Sequence, residues 1–94
     1  LEESVEQALA RELEEELGIL VARAKPMIIV EHDYGDKRVV LDVWLVRDFE
    51  GEACGREGQA IQWCSLEDLP DLNFPEANIA IVAEVLKLSR AGLL

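Results

Sequence analysis

A helix with both of its ends written in the sequence opens this chain and restricts what can follow. Ser4 and Gln7 are spaced as a capping box, in which the serine oxygen and the glutamine side chain close orphan amides at a helix start. From Val5 to about Leu17, the residues Ala8, Leu9, Leu13 and Leu17 recur at intervals of three and four and form one apolar stripe. Gly18 follows as the left-handed residue that commonly terminates a helix.

Behind that helix the period changes. Met27 to Val30 is a short β-branched segment, and Val39 to Val46 is a nearly continuous apolar run. Tyr34-Gly35-Asp36-Lys37 supplies turn chemistry between them, so the pair reads as a hairpin. The second run, VVLDVWLV, is apolar on both faces except at Asp42, the pattern of a central strand covered on both sides. Loops are expected around Glu50-Gly51-Glu52 and from Gly55 to Gly58. Ala60 to Cys64 reads as a short strand, and Ser65 to Leu69 as a helical turn that Pro70 stops. Pro75 opens a last helix, to about Arg90, with Ile79, Val82, Ala83 and Leu86 on one face, and Gly92 ends it. Helix, strands and helix in this order predict an α/β sandwich, a sheet packed between helices.

At 94 residues the chain is the size of one domain, 1–94, and its 50% hydrophobic content suffices for a packed core. No segment reads as a membrane span or a signal peptide, and Cys54 and Cys64 follow neither metal-ligand nor disulfide spacing. A reduced cytoplasmic protein with no membrane partner is expected. The net charge of −11 would repel a nucleic-acid backbone, so a DNA or RNA polymer is not an expected partner. A polyphosphate bound to such a chain must be attracted by something other than its average charge, and divalent cations held on carboxylates are the obvious candidate.

The carboxylates for such a task crowd the first helix. Glu12, Glu15 and Glu16 lie three and four residues apart and share one face, while Glu14 points away. Three carboxylates at this spacing could converge on a hard cation such as Mg²⁺. A solvated acidic face is the commoner fate of such a charge run, because exposed like-charge pairs cost only ~0.2–0.5 kcal/mol each. The cluster alone does not separate the two.

The wider spacing does. Glu3 is followed after seven residues by Arg11, Glu12 and Leu13, then by Glu15, Glu16, Gly18 and Ile19. This run resembles the Nudix box, Gly-x5-Glu-x7-Arg-Glu-U-x-Glu-Glu-x-Gly-U with U a bulky aliphatic residue, at every position from its first glutamate onward. Further along, Val43-Trp44-Leu45-Val46, Glu50-Gly51-Glu52, Gly55-Arg56-Glu57-Gly58-Gln59, Trp63 and Phe74-Pro75-Glu76-Ala77-Asn78 are similar to consecutive landmarks of the MutT type of Nudix hydrolase. The resemblance covers nearly the whole chain. It implies the Nudix α/β/α sandwich with a mixed sheet between helices. The implied activity is hydrolysis of 8-oxo-dGTP, and of dGTP, to the monophosphate and pyrophosphate, which sanitises the nucleotide pool.

It also implies roles. Glu12, Glu15, Glu16 and Glu57 would hold Mg²⁺, with Mn²⁺ as a substitute, and Glu12, Glu16 and Glu57 are the candidates for general base. Arg11 and Glu3 would support the box rather than touch phosphate. Asn78, whose side chain both donates and accepts, would read the oxidised base. Lys37 or Arg38 matches a basic position near the substrate. Trp44 and Trp63 are expected in the core, and His32 and the cysteines in structural roles.

The opening glycine of the box is absent, because the sequence begins at Leu1, almost directly in the helix. The resemblance therefore implies a partial Nudix domain whose N-terminal strands are missing. Such a fragment is expected to self-associate or swap elements, and to be weakly active or inactive. The terminal Ala-Gly-Leu-Leu would suit a linker to a further C-terminal domain. Two other functions remain open: a Nudix hydrolase for another NTP, an ADP-sugar or a dinucleotide polyphosphate, and a catalytically silent interaction domain with this fold.

Overall fold

The computed structural model describes residues 2–94. Helix α1 spans Val5–Leu17, strand β1 Leu20–Asp33, strand β2 Arg38–Glu50 and helix α2 Glu76–Arg90, with a 3₁₀ turn at Leu69–Asp71. This is the α/β class expected. Among the described residues the sheet is a two-stranded ribbon, β1 beside β2, and the tight turn joining consecutive strands makes the pair antiparallel.

The caps of α1 form as the local sequence dictates. Ser4 Oγ accepts the N–H of Gln7 at 3.1 Å, and Gln7 Oε1 accepts the N–H of Ser4 at 2.9 Å. At the other end Gly18 takes φ 72° and donates its N–H to the Glu14 carbonyl at 3.0 Å. Only glycine adopts this left-handed conformation without steric cost, so the helix ends where the residue stands.

The strands run further than periodicity suggested. β1 begins two residues after the helix cap and passes through Pro26, which reads as a breaker in sequence. Each strand of a two-stranded ribbon has an unpaired side, and proline, which lacks an N–H, is tolerated there. The turn closes with the Tyr34 N–H donating to the Lys37 carbonyl at 2.9 Å, while the Gly35 N–H is held by Asp33 Oδ1 at 2.8 Å.

Four local expectations are corrected. β2 is not a strand covered on both faces: from Arg38 to Val43 exposed and half-buried residues alternate, and Val40 is well exposed. A continuous apolar run does not by itself specify two-sided burial. Residues 60–64 form no strand, and Trp63, expected in the core, is 76% exposed. Pro70 lies inside the 3₁₀ turn instead of stopping a helix, because a missing N–H costs nothing in a first turn. The C-terminal end of α2 follows expectation, with Gly92 at φ 72° and the Leu93 N–H reaching back to the Leu88 carbonyl at 2.9 Å.

The chain divides into two compact units: one runs to Lys25 and resumes over Leu45–Gln62, the other comprises Pro26–Trp44 and Trp63–Leu94. In the first, Ile19, between α1 and β1 in sequence, is the buried residue, and Arg23 of β1 pairs with Asp48 of β2. In the second, Val30 of the hairpin and Ala77 of α2 are the buried residues. The half-hydrophobic composition led to an expectation of a fuller core. Instead Ile29 and Ile79 stay more than 60% exposed, and of the α2 stripe only Val82 and Leu86 are half-buried.

Candidate active site

In the first unit, α1 presents Glu12, Glu15 and Glu16 to solvent. Arg11 organises the acids around it. Its Nε and Nη2 donate to Glu3 at 2.9 and 3.0 Å, its Nη1 approaches Glu15 at 3.4 Å, and its Nη2 lies 4.0 Å from Glu12. The hydrogen bonds from Arg11, reinforced by its charge, hold the Glu3 carboxyl below the usual carboxylate range, and the Arg11 guanidinium is raised in turn, Glu3 first among the causes. Arg11 and Glu3, read from sequence as a support, are thus joined. Glu16 differs from Glu3 and Glu15: among the described residues no side-chain hydrogen bond or ion pair involves its carboxylate.

The loop carrying Glu57 docks on the carbonyl end of α1. The N–H groups of Cys54 and Arg56 donate to the carbonyls of Leu17 and Glu16, both at 3.0 Å. Arg56 Nη1 donates to the Glu14 carbonyl at 3.2 Å, and Gln59 Nε2 to the Glu16 carbonyl at 3.0 Å. The last turn of α1 contains no basic residue, so Arg56 supplies from the loop the positive charge that a helix C-terminus favours. Arg56 and Gln59 were not singled out from sequence. Both stood within the Gly55–Gln59 segment that resembles a MutT landmark, with no role given to either, and the lack of a cation in that last turn was a further hint.

No three carboxylate, histidine or cysteine side chains among the described residues are gathered closely enough to enclose a cation. The donor chemistry nevertheless fits a hard divalent ion: Glu12, Glu15 and Glu16 are exposed carboxylates on one helical face, and Glu57 lies in the loop docked at its end. An open cleft of ≈ 430 Å³ beside them is lined by Arg11, Glu14, Glu15 and Arg56. Glu14, expected to point away, thus shares a cleft with Glu15.

In the second unit, a cleft of ≈ 530 Å³ brings together Tyr34, Asp36, Lys37, Pro75, Ala77 and Asn78. Pro75 has no side chain able to cap α2, and the Tyr34 hydroxyl does the work, accepting the Ala77 N–H at 3.0 Å. The Asn78 N–H donates to the Pro75 carbonyl at 2.9 Å, and among the described residues no hydrogen bond engages its side-chain carboxamide. Of the two basic candidates, Lys37 lines this cleft with its Nζ 6.0 Å from the Tyr34 ring, whereas Arg38 is paired with Glu31 at 2.6 Å. His32 packs edge-on to Tyr34 at 4.5 Å and lies 3.0 Å from Glu76, consistent with its structural reading. Among the described residues no helix is long and apolar enough to cross a membrane.

A capped helix carrying the box acids, followed by a hairpin and a second helix, defines a class, and the NUDIX domain family matches this chain over residues 1–84. The chain belongs to the Nudix family. It is 40% identical over 86 residues to the 8-oxo-dGTP diphosphatase of Escherichia coli K12, covering 92% of this chain and 67% of that protein. It is 33% identical over 90 residues to the CTP pyrophosphohydrolase of the same organism, covering 96% and 67%. Among solved structures, one from a study of MutT from Aliivibrio salmonicida and Vibrio cholerae superposes with a TM-score of 0.78 at 41% identity, over 90% of this chain and 65% of that one. The chain therefore spans about two thirds of the length of these relatives.

Proposed function

We propose that this chain carries the phosphate-cleaving and base-reading residues of a MutT-like nucleoside triphosphate pyrophosphohydrolase acting on 8-oxo-dGTP, and on dGTP, in the cytoplasm. The observation that supports it most is the state of the box helix. Arg11 is committed to Glu3 and Glu15, and the carboxylate of Glu16 is left exposed and, among the described residues, without a partner. The 40% identity to an 8-oxo-dGTP diphosphatase supports the substrate.

In this reading Glu12, Glu15, Glu16 and Glu57 would hold Mg²⁺, or Mn²⁺ in its place. A bound divalent ion there supplies charge neutralisation on the triphosphate and a lowered pKa for the attacking water. The protein's own share is positional and electrostatic. Arg11 and Glu3 keep the box acids in place, and a carboxylate accepts the proton of the water that attacks the β-phosphorus. The bond from that phosphorus to the oxygen bridging to the α-phosphate breaks. The monophosphate departs and pyrophosphate retains the new oxygen. Glu12, Glu16 and Glu57 are the candidate bases; Glu16 and Glu57 are favoured because neither carboxylate is tied to a cation. Asn78 reads the base with its unengaged carboxamide, and Lys37 contributes positive charge in the same cleft.

A second reading, hydrolysis of a different NTP, is favoured by the 33% identity to a CTP pyrophosphohydrolase. The deciding experiment is pyrophosphate release from 8-oxo-dGTP, dGTP and CTP with Mg²⁺, beside Glu16→Gln. Preference for the oxidised nucleotide that vanishes in the variant supports the first reading. Preference for CTP selects the second, and no release from any of the three excludes both.

A further inference from the structure

The Gln59 carboxamide makes two hydrogen bonds that run in opposite directions along one side chain. Its Nε2 donates to the main-chain carbonyl of Glu16 at 3.0 Å, and its Oε1 accepts the main-chain N–H of Glu57 at 2.9 Å. One planar group therefore joins the backbones of two carboxylate residues 41 positions apart in sequence. The surrounding loop is shaped to allow this. The Gly58 N–H closes a turn onto the Gly55 carbonyl at 3.0 Å. A Cβ on Gly55 would stand 1.9 Å from the Gln59 carbonyl oxygen, so no side chain fits there. Arg56 adds its own main-chain and guanidinium bonds to the same helix end.

We infer that Gln59 is a positioning residue: it sets the Glu57 loop at a fixed register against the end of α1, so that the Glu57 and Glu16 carboxylates can serve one divalent cation. The inference rests on the hydrolase reading only for the purpose of that cation; the bridge itself rests on the two hydrogen bonds. The chemistry is selective. Methionine is close in size but cannot donate and accepts only weakly through its thioether, and asparagine keeps the carboxamide but is one methylene too short to span the gap. Groups that orient metal ligands from behind typically change metal affinity by about 10- to 100-fold when removed.

The test uses the full chain with Mn²⁺ as the probe. Mn²⁺ affinity is followed by water-proton relaxation, amide exchange at Glu57 by NMR, and unfolding by calorimetry. In Gln59→Met and Gln59→Asn alike, the Glu57 amide should exchange about tenfold faster, the loss of one ordinary hydrogen bond. Mn²⁺ should bind about tenfold more weakly, with the melting temperature of the wild type retained. Unchanged exchange at Glu57 or unchanged Mn²⁺ affinity in Gln59→Met overturns the assignment and leaves the hydrolase reading standing. A wild-type chain that binds Mn²⁺ through this bridge yet releases pyrophosphate from no nucleotide overturns the hydrolase reading and keeps the bridge. Absence of Mn²⁺ binding by the wild type overturns both.

Discussion

Arg11 grips Glu3 with two nitrogens, Nε at 2.9 Å and Nη2 at 3.0 Å, reaching from the second turn of α1 back to a residue that precedes the helix. The contact sets a proton equilibrium that can be measured. A carboxyl held below its usual range gives stability that is complete above its unfolded pKa and is lost as the pH falls through the folded one. For Glu3 that window lies below about pH 4. An NMR titration should find the Glu3 midpoint depressed in the wild type and restored to the ordinary value in Arg11→Ala. An unshifted wild-type midpoint would show the pair does not persist in water.

Ser4→Ala removes the oxygen that caps α1 and should cost about 1 kcal/mol in urea unfolding. Gly18→Ala should cost at least as much, because φ of +72° strains any side chain and the new Cβ would lie 2.9 Å from Arg56 Cδ. If both variants unfold at the wild-type midpoint, the helix ends contribute nothing to stability.

Substituting Glu16→Gln or Glu57→Gln should lower kcat for the preferred nucleotide by about 100-fold or more, the usual contribution of a positioned general base. Glu14→Gln, which alters a neighbour outside the proposed ligand set, should stay within about threefold of the wild type. Equal losses in all three would mean that total charge, and not these two groups, sets the rate.

Asn78→Ala should erode the preference for 8-oxo-dGTP over dGTP by about tenfold or more, since a lost base contact of ~1–3 kcal/mol carries that factor. The ratio of kcat/KM values is the measurement. An intact ratio would place base recognition on other residues.

Ile29, Trp63 and Ile79 expose apolar surface, and exposed apolar side chains of this size favour self-association when they lie in one patch. Sedimentation velocity should therefore detect concentration-dependent association that Ile79→Asp weakens. A monomer at all concentrations would contradict this.

Much of the box was legible in sequence because its structure is local. The capping box, the glycine terminator and the Arg11–Glu15 approach join residues three or four positions apart, so the helical period alone brings them together. The hairpin turn at Tyr34-Gly35-Asp36-Lys37 was legible for the same reason. The presence of Glu57 in a loop followed from its glycines. What that loop touches did not follow.

By itself, the sequence determined the two helices, their ends, the hairpin and the shared face of Glu12, Glu15 and Glu16, all consequences of short-range geometry. Only the tertiary structure decided which helix end the 54–59 loop caps, which of Lys37 and Arg38 enters the cleft with Asn78, and how little of the β2 run is covered. It also put Trp63 in solvent and gave the Tyr34 hydroxyl to the amide of Ala77. The reason is physical. A main-chain carbonyl at a helix end accepts any donor that reaches it, and an apolar residue is buried only if another element arrives to cover it. Both outcomes depend on partners some 40 residues away in sequence, which no local pattern records.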